Sequence, residues 1–315
     1  MKHALLLGNG LNRLAGGVDW AKLLQGLVPP GHQAPGMSSL TMEFEKIYAE
    51  WNVEAINKEL LSKYEMKKWI RDRFYTEEKK TNKCEGEKQD DNCQLLRDFT
   101  MLPVKHILTT NYDYDLEKAI DPDFKRDKSP AKTKERLCSL KRKLIPDGRP
   151  VQEASKVVWH IHGEIGGPES ICLGYEHYCA QLAAMRQLLT TPNDNLPGGP
   201  YLTRFLEKGD FNPNSWLTLF FTHNIHIIGL SLSFLEIDLW WLLTYRHQYQ
   251  LRHSQAPKNK IIYYCPSTPK AEKPQEEVML MPSLGVEVMA LGMGLEDWNT
   301  FYSLALAAVH QYCLK

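Results

Sequence analysis

Four short polar clusters hold the residues of this chain that can do chemistry: Gly8-Asn9-Gly10-Leu11-Asn12, Thr109-Thr110-Asn111-Tyr112-Asp113, His162-Gly163 and Gly229-Leu230-Ser231-Leu232. Glycines let a backbone approach a pyrophosphate, amides and hydroxyls hold ribose hydroxyls and water, and a neutral imidazole serves as a general base near pH 7. Together the clusters read as one nucleotide site. Each is weak alone. Gly8-Asn9-Gly10 also suits a plain β-to-α turn, and Arg13 stands where GxGxxG wants its third glycine. Asn111 can cap a helix, and Ser231 can cap one beginning near Leu235. In an extended chain His160 and His162 share a face, which raises a metal pair; no neighbouring Asp or Cys completes a ligand set, so no metal is expected.

The elements that must position these clusters are short apolar runs. Ala4–Leu7, Val104–Leu108, Val157–Ile161 and Ile225–Ile228 each precede one cluster, so all four clusters fall at the carboxyl ends of buried strands, where open α/β sheets bind ligands. Further strands are expected at Lys260–Cys265 and Gly285–Ala290, and helices at Ala21–Leu27, Asp113–Ile120, Cys179–Leu189, Glu236–Tyr249 and Trp298–Tyr312. Alternating strands and helices imply an α/β fold, a Rossmann-like parallel sheet in one domain over residues 1–315. Two excursions interrupt it. Residues 13–100 form a helical insertion, with apolar residues at three- and four-residue spacing between Thr41 and Phe74, and residues 166–213 form a second, broken by the Pro/Gly/Asn cluster Pro192–Pro200.

Bulk composition narrows the function. Among 315 residues, 38 Lys and Arg balance 38 Asp and Glu, so no net field draws the chain to nucleic acid or membrane. Lys125–Arg149 is locally basic, but its centre lacks aromatic residues to stack bases, and a solvated loop or β-ribbon is expected. Thr76–Asn92 reads as a charged surface loop. His223, Asn224, His226, Glu236 and Asp238 interrupt the apolar stretch Trp216–Tyr245 and argue against a bilayer span. The opening residues lack the pattern of a secretory signal, and a cytoplasmic location is expected. Seven cysteines include no CxxC pair, so most are expected to be reduced. Trp240-Trp241 fits a buried helix better than an interface.

In this order and spacing the clusters resemble the sirtuin-like superfamily, especially bacterial sirtuin-like NAD-cleaving effectors of antiphage defence, over Leu5 to about Leu243. The Gly-x-Gly loop is matched by Gly8-Asn9-Gly10, the Asn-x-Asp element by Asn111-Tyr112-Asp113, the His-Gly by His162-Gly163 and the Gly-x-Ser by Gly229-Leu230-Ser231. Protein-deacylating sirtuins carry a zinc module with two CxxC pairs, which this chain lacks.

The resemblance implies that Asn111 and His162 are catalytic, with Asp113 supporting ribose or water. It places Gly8, Asn9, Gly10, Asn12, Thr110, Gly229 and Ser231 around NAD. The implied reaction is hydrolysis of the nicotinamide–ribose bond to nicotinamide and ADP-ribose, with cyclisation and an NADP preference left open. Unregulated turnover would drain NAD, so the resemblance also implies oligomeric assembly or a regulatory subunit, such as a HerA-like ATPase, a HAM-type nucleotide pyrophosphatase homologue or an Argonaute-type protein. Two other readings stand beside it: a non-catalytic NAD or ADP-ribose sensor, and a deacylase or ADP-ribosyltransferase.

Overall fold

A computed structural model describes residues 2–14, 20–29, 31, 39–54, 63–78, 91–126, 140–190, 206, 215–253, 256, 258–267, 275–292 and 298–314. Seven strands form one sheet: β1 (His3–Leu7), β2 (His106–Thr109), β3 (Lys143–Leu144), β4 (Val157–His160), β5 (Asn224–Ile228), β6 (Ile261–Pro266) and β7 (Val286–Leu291). They lie in the order β3-β4-β2-β1-β5-β6-β7, parallel except for β3, a two-residue edge strand antiparallel to β4. This is a Rossmann-like α/β arrangement, as the apolar runs predict.

The register sets the site. Leu7 pairs with both Thr109 and Ile228, and Thr109 pairs with His160, so four strands end level with one another. The chain moves outward from β1 to one side through β2 and β4, then crosses back to β5 on the other side. Strand order therefore reverses between β1 and β5, and a crevice opens there at the carboxyl edge.

Alternate residues of each strand supply two cores. Ala4 and Leu6, with Trp159, Ile225 and Ile227, pack under the helices Tyr175–Thr190 and Ile237–Arg252. Leu5 and Leu7, with Ile107, Val158 and Ile228, face Asp91–Met101 and Trp298–Cys313. Trp240 and Trp241 pack half-buried against the first core, less buried than the sequence reading expects, while Leu239, Leu242 and Leu243 of the same helix are buried. A third cluster lies beyond the strand ends: Leu24, Phe44, Ile47 and Ile70 of the insertion pack on Tyr112, Tyr114, Ile165 and Leu173. The apolar spacing between Thr41 and Phe74 resolves into two helices, Leu40–Glu54 and Lys63–Glu78, which roof the crevice.

The basic segment has a structural use. Glu164, two residues after His162, is fully buried and accepts hydrogen bonds from Arg126 Nε at 2.9 Å and Nη2 at 2.8 Å, from Arg142 Nη1 at 2.6 Å and from the Tyr114 hydroxyl at 2.7 Å. Burial alone would raise its carboxyl, but Arg126, the nearby His160 and Tyr114 hold it down to about 2. Lys143 lies 4.9 Å above the Trp159 ring. Arg142 and Lys143 are thus spent inside the fold, and β3 makes the ribbon that the sequence allowed. Glu164→Gln removes the buried counter-charge that Arg126 and Arg142 share, leaving Arg142 with Glu169 at 3.9 Å. It is expected to cost about 3 kcal/mol or more in urea unfolding, whereas an exposed pair such as Lys260–Glu287 should register under about 1 kcal/mol.

Residues 79–90 of the expected Thr76–Asn92 loop, 127–139 of the basic segment and the Pro192–Pro200 breaker lie outside the described residues. Cys172, Cys179, Cys265 and Cys313 carry free thiols, whereas Cys93 is disulfide-bonded. Among the described residues no helix is long and apolar enough to cross a membrane.

Candidate active site

The crevice between β1 and β5 opens into a cavity of 690 Å³. Asn9, Gly10, Thr110, Asn111, Asp113, His162, Gly229 and Ser231 all line it, so eight of the ten residues singled out in the sequence share one wall. The other two stand just behind. Asn12 is buried and its side-chain amide donates to Asp113 Oδ1 at 3.0 Å, tying the first cluster to the second. A Cβ on Gly8 would lie 2.4 Å from the Gly229 carbonyl oxygen, so this glycine lets the first and fourth loops touch.

That contact changes the expected use of the glycine loop. The amides of Gly8 and Gly10 donate to the carbonyls of Ile228 and Gly229, at 3.0 and 2.8 Å. These two N–H groups are committed to the neighbouring loop and do not face a pyrophosphate. The Tyr302 hydroxyl reaches the same junction, 2.4 Å from where a Gly10 Cβ would stand.

Asn111 is buried, and its side-chain amide nitrogen has no hydrogen-bond partner. Asn111 does not cap the following helix, whose cap position is Tyr114 with no side-chain bond. The helix behind this turn runs Asp115–Ile120, with Asp113 ahead of it; Asp113 Oδ1 accepts the Asp115 amide at 3.3 Å instead of sitting in the first turn. Ser231 is not a cap either, because the next helix starts at Ile237 with Glu236 at its cap and no side-chain bond.

The two histidines part company, against the expectation of a shared face. β4 ends at His160, and the chain then turns through Gly163, whose φ of +95° and close approach to the Ser170 carbonyl suit only glycine. His160 sits over the Asp115–Ile120 helix, its Nε2 2.7 Å from Glu117 Oε1 and its Nδ1 3.0 Å from the Asn111 carbonyl. Burial opposes its charge, but Glu117 outweighs burial and lifts the imidazole to about 9. His160 is thus a strut beneath Asn111.

His162 swings to the opposite side of the sheet. Its Nε2 lies 3.0 Å from Asp238 Oδ2 and 3.7 Å from Glu236 Oε2. Gln181 Nε2 donates to Asp238 Oδ2 at 2.7 Å, and the Tyr178 hydroxyl donates to Glu236 Oε2 at 3.2 Å. Burial would lower the His162 imidazole, yet the two carboxylates raise it above its ordinary value. The same contacts hold Asp238 below the usual carboxylate range, while burial and Asp238 push Glu236 up. The expectation that no acidic neighbour stands beside the histidine is therefore wrong: His162, Glu236 and Asp238 offer three ligand atoms within 4.8 Å of one another. In the sequence these two acids count only as polar interruptions of an apolar stretch, 74 and 76 residues from His162. The single available signal was their place just after Gly229-Leu230-Ser231-Leu232.

Beyond these groups the cavity is aromatic. Trp20 of the insertion faces Tyr112 with ring centroids 6.4 Å apart, and Tyr263, Tyr264, Phe301, Tyr302 and Arg13 also line it. The mixture of apolar walls and few convergent polar groups is that of a small-molecule site.

A family model described as the SIR2-like domain matches residues 105–277, more than half of the chain. The chain belongs to the SIR2-like family. No curated protein matches it. As a SIR2-like protein it falls in a family that uses NAD, and the matched span carries three of the four clusters, with only the Gly8–Asn12 loop ahead of it. The SIR2-like span also includes Glu236 and Asp238.

Proposed function

We propose that this SIR2-like chain is an NAD glycohydrolase that releases nicotinamide and ADP-ribose. The observation that carries the proposal is the buried, unpartnered amide of Asn111 on the wall of a cavity that also holds His162, braced by Asp238. A buried donor without a partner is costly unless a ligand satisfies it, and a ribose hydroxyl or the attacking water supplies the acceptor.

The chemistry follows from these groups. As the bond between nicotinamide nitrogen and the ribose carbon breaks, the electron pair leaves with nicotinamide and positive charge develops on the sugar. A cavity of mixed apolar and polar walls that presents the Asp113 carboxylate favours that cation. Water adds to the sugar carbon and loses a proton. With the Nε2–H of neutral His162 donated to Asp238, Nδ1 keeps the lone pair that takes it. Asp238 plays the part that a carboxylate plays behind any catalytic imidazole, fixing tautomer and orientation.

Such an activity fits an effector that depletes NAD in the cytoplasm of an infected bacterium, held inactive until a sensor subunit or assembly releases it. A HerA-like ATPase, a HAM-type nucleotide pyrophosphatase homologue and an Argonaute-type protein are the partner classes to test. The test is nicotinamide release from NAD by the purified chain, alone and with the proteins encoded beside it. Wild-type turnover that Asn111→Ala loses by at least about 100-fold supports the proposal. NAD that binds but survives under every condition overturns it and makes the cavity a sensor site.

A further inference from the structure

We propose that His162 Nε2, Glu236 Oε2 and Asp238 Oδ2 form a site for a divalent transition metal, zinc above all, and that the ion silences the imidazole. The silencing rests on the glycohydrolase reading; the metal site does not.

Geometry comes first. Zinc bonds to nitrogen and oxygen are about 2.0–2.1 Å, so two ligands of a tetrahedral ion lie roughly 3.3 Å apart. The two separations from Nε2, 3.0 and 3.7 Å, bracket that value, and shifts of a few tenths of an ångström would make both fit. Three protein ligands of this kind leave a fourth position for water, and Glu236 and His162 both line the cavity through which the ion and that water arrive. An imidazole with two carboxylates suits zinc better than magnesium or calcium, which take oxygen ligands.

The surroundings are built as a metal's usually are. Gln181 holds Asp238 at 2.7 Å and Tyr178 holds Glu236 at 3.2 Å, each donating to the very oxygen that would bind the ion and fixing its direction. Asp238 is fully buried, yet its second oxygen, Oδ1, has no partner, and neither has Oε1 of the buried Gln181 that grips it. Among the described residues no Lys or Arg pairs with the three groups, so the neutral imidazole that zinc needs leaves the two carboxylates with an excess of negative charge. A divalent cation corrects that excess. Coordination needs the lone pair on Nε2, so the one remaining ring proton sits on Nδ1: the imidazolium gives up its Nε2 proton to solvent, the neutral ring moves that proton to Nδ1, and in either case Nδ1 has no lone pair left to take a proton from water.

Cobalt(II) is the probe, followed by displacement with zinc. The purified chain is expected to take up one equivalent of cobalt with visible ligand-field bands and no thiolate charge-transfer band, which excludes thiols, among them Cys172, Cys179, Cys265 and Cys313, as ligands. Zinc should bleach those bands, with affinity reduced at least about 10-fold in Asp238→Asn and in Glu236→Gln. Glu236 is 18% exposed at the cavity wall, so its variant stays informative if Asp238→Asn fails to fold. Absence of stoichiometric binding, a thiolate band, or unchanged zinc affinity in folded Glu236→Gln overturns the site. Nicotinamide release separates the two proposals. Zinc that binds and stops release, reversibly with a chelator, supports both. A chain that binds zinc but never cleaves NAD keeps the metal site and loses the glycohydrolase. Full turnover at saturating zinc overturns the silencing.

Discussion

His162→Ala should lower the rate of nicotinamide release by about 100- to 10,000-fold while leaving NAD binding within a few-fold of wild type. The range is that of a positioned general base, and binding should survive because the cavity walls are formed by other elements. A sharper test uses Asp238→Asn. In the wild type the carboxylates hold the imidazole above its ordinary value, so the base is protonated, and idle, until the pH passes that raised value. The plot of kcat/KM against pH should therefore climb along a limb above the usual histidine range. Removing the Asp238 charge lets burial dominate, so the limb should move to lower pH while the plateau falls, because Asn no longer fixes the tautomer. A limb that stays in place would sink the assignment of His162 as the base. A plateau that stays up would sink the role of Asp238.

Acid should begin to destabilise this protein near pH 6.5, above the ordinary carboxylate range. At the amino ends of the strands, opposite the cavity, lies a cluster of neutral histidines. His226 bridges His3 and the Tyr264 hydroxyl, with both contacts at 2.9 Å. His106 accepts from Trp159 Nε1 at 3.2 Å and meets the His223 ring at 5.4 Å. Burial lowers all three, His106 to about 3, His223 to about 4 and His226 to about 3, with Lys2, Lys105 and Lys143 adding to the effect at His106. In the unfolded chain they protonate near pH 6.5. The unfolded state then binds more protons, so stability held above about pH 6.5 drains away as the pH falls toward 3–4. Each residue opposes charging by on the order of a few kcal/mol, against a net stability of about 5–15 kcal/mol for a typical domain. His160 works in the other direction: raised to about 9, it contributes fully below pH 6.5 and is lost as the pH rises through 9. Stability should peak near pH 6.5. Circular dichroism across an acid titration checks this. His106→Asn with His226→Gln should flatten the slope between pH 6.5 and 4, and an unchanged slope would contradict it. The separate loss from Glu164 belongs to lower pH, between about 4.5 and 2.

Much of this molecule is legible in its sequence, for a specific reason. Strands of a parallel sheet are buried on both faces, so Ala4–Leu7 stands out as an unbroken apolar run and Ile225–Ile228 as one broken only by His226, and whatever polar residues follow them must lie at one edge. All seven strands but β3 were located this way, to within two residues. Two residues of antiparallel pairing leave no periodic trace. The site was half legible. Clusters at strand ends announce themselves, but Asp238 is set in an apolar helix and meets His162 only because β4 and β5 end on the same edge. Glu164 is similar: nothing near it in sequence shows that Arg126 and Arg142 close on it. The glycines were found for a reason that proved incomplete, since Gly8 and Gly10 serve the contact between loops before they serve any ligand.

Glu164 also governs how the molecule comes apart. It ties Arg126, Arg142 and Tyr114 behind a turn that carries His162 two residues earlier. Opening that turn means stripping a buried anion of four hydrogen bonds, so it cannot fray alone at a fraction of the global free energy, as active-site loops commonly do. Amide exchange behind the imidazole is therefore coupled to melting of the sheet. Heat should then abolish nicotinamide release and tertiary structure in a single transition, with no loosened, inactive intermediate between them.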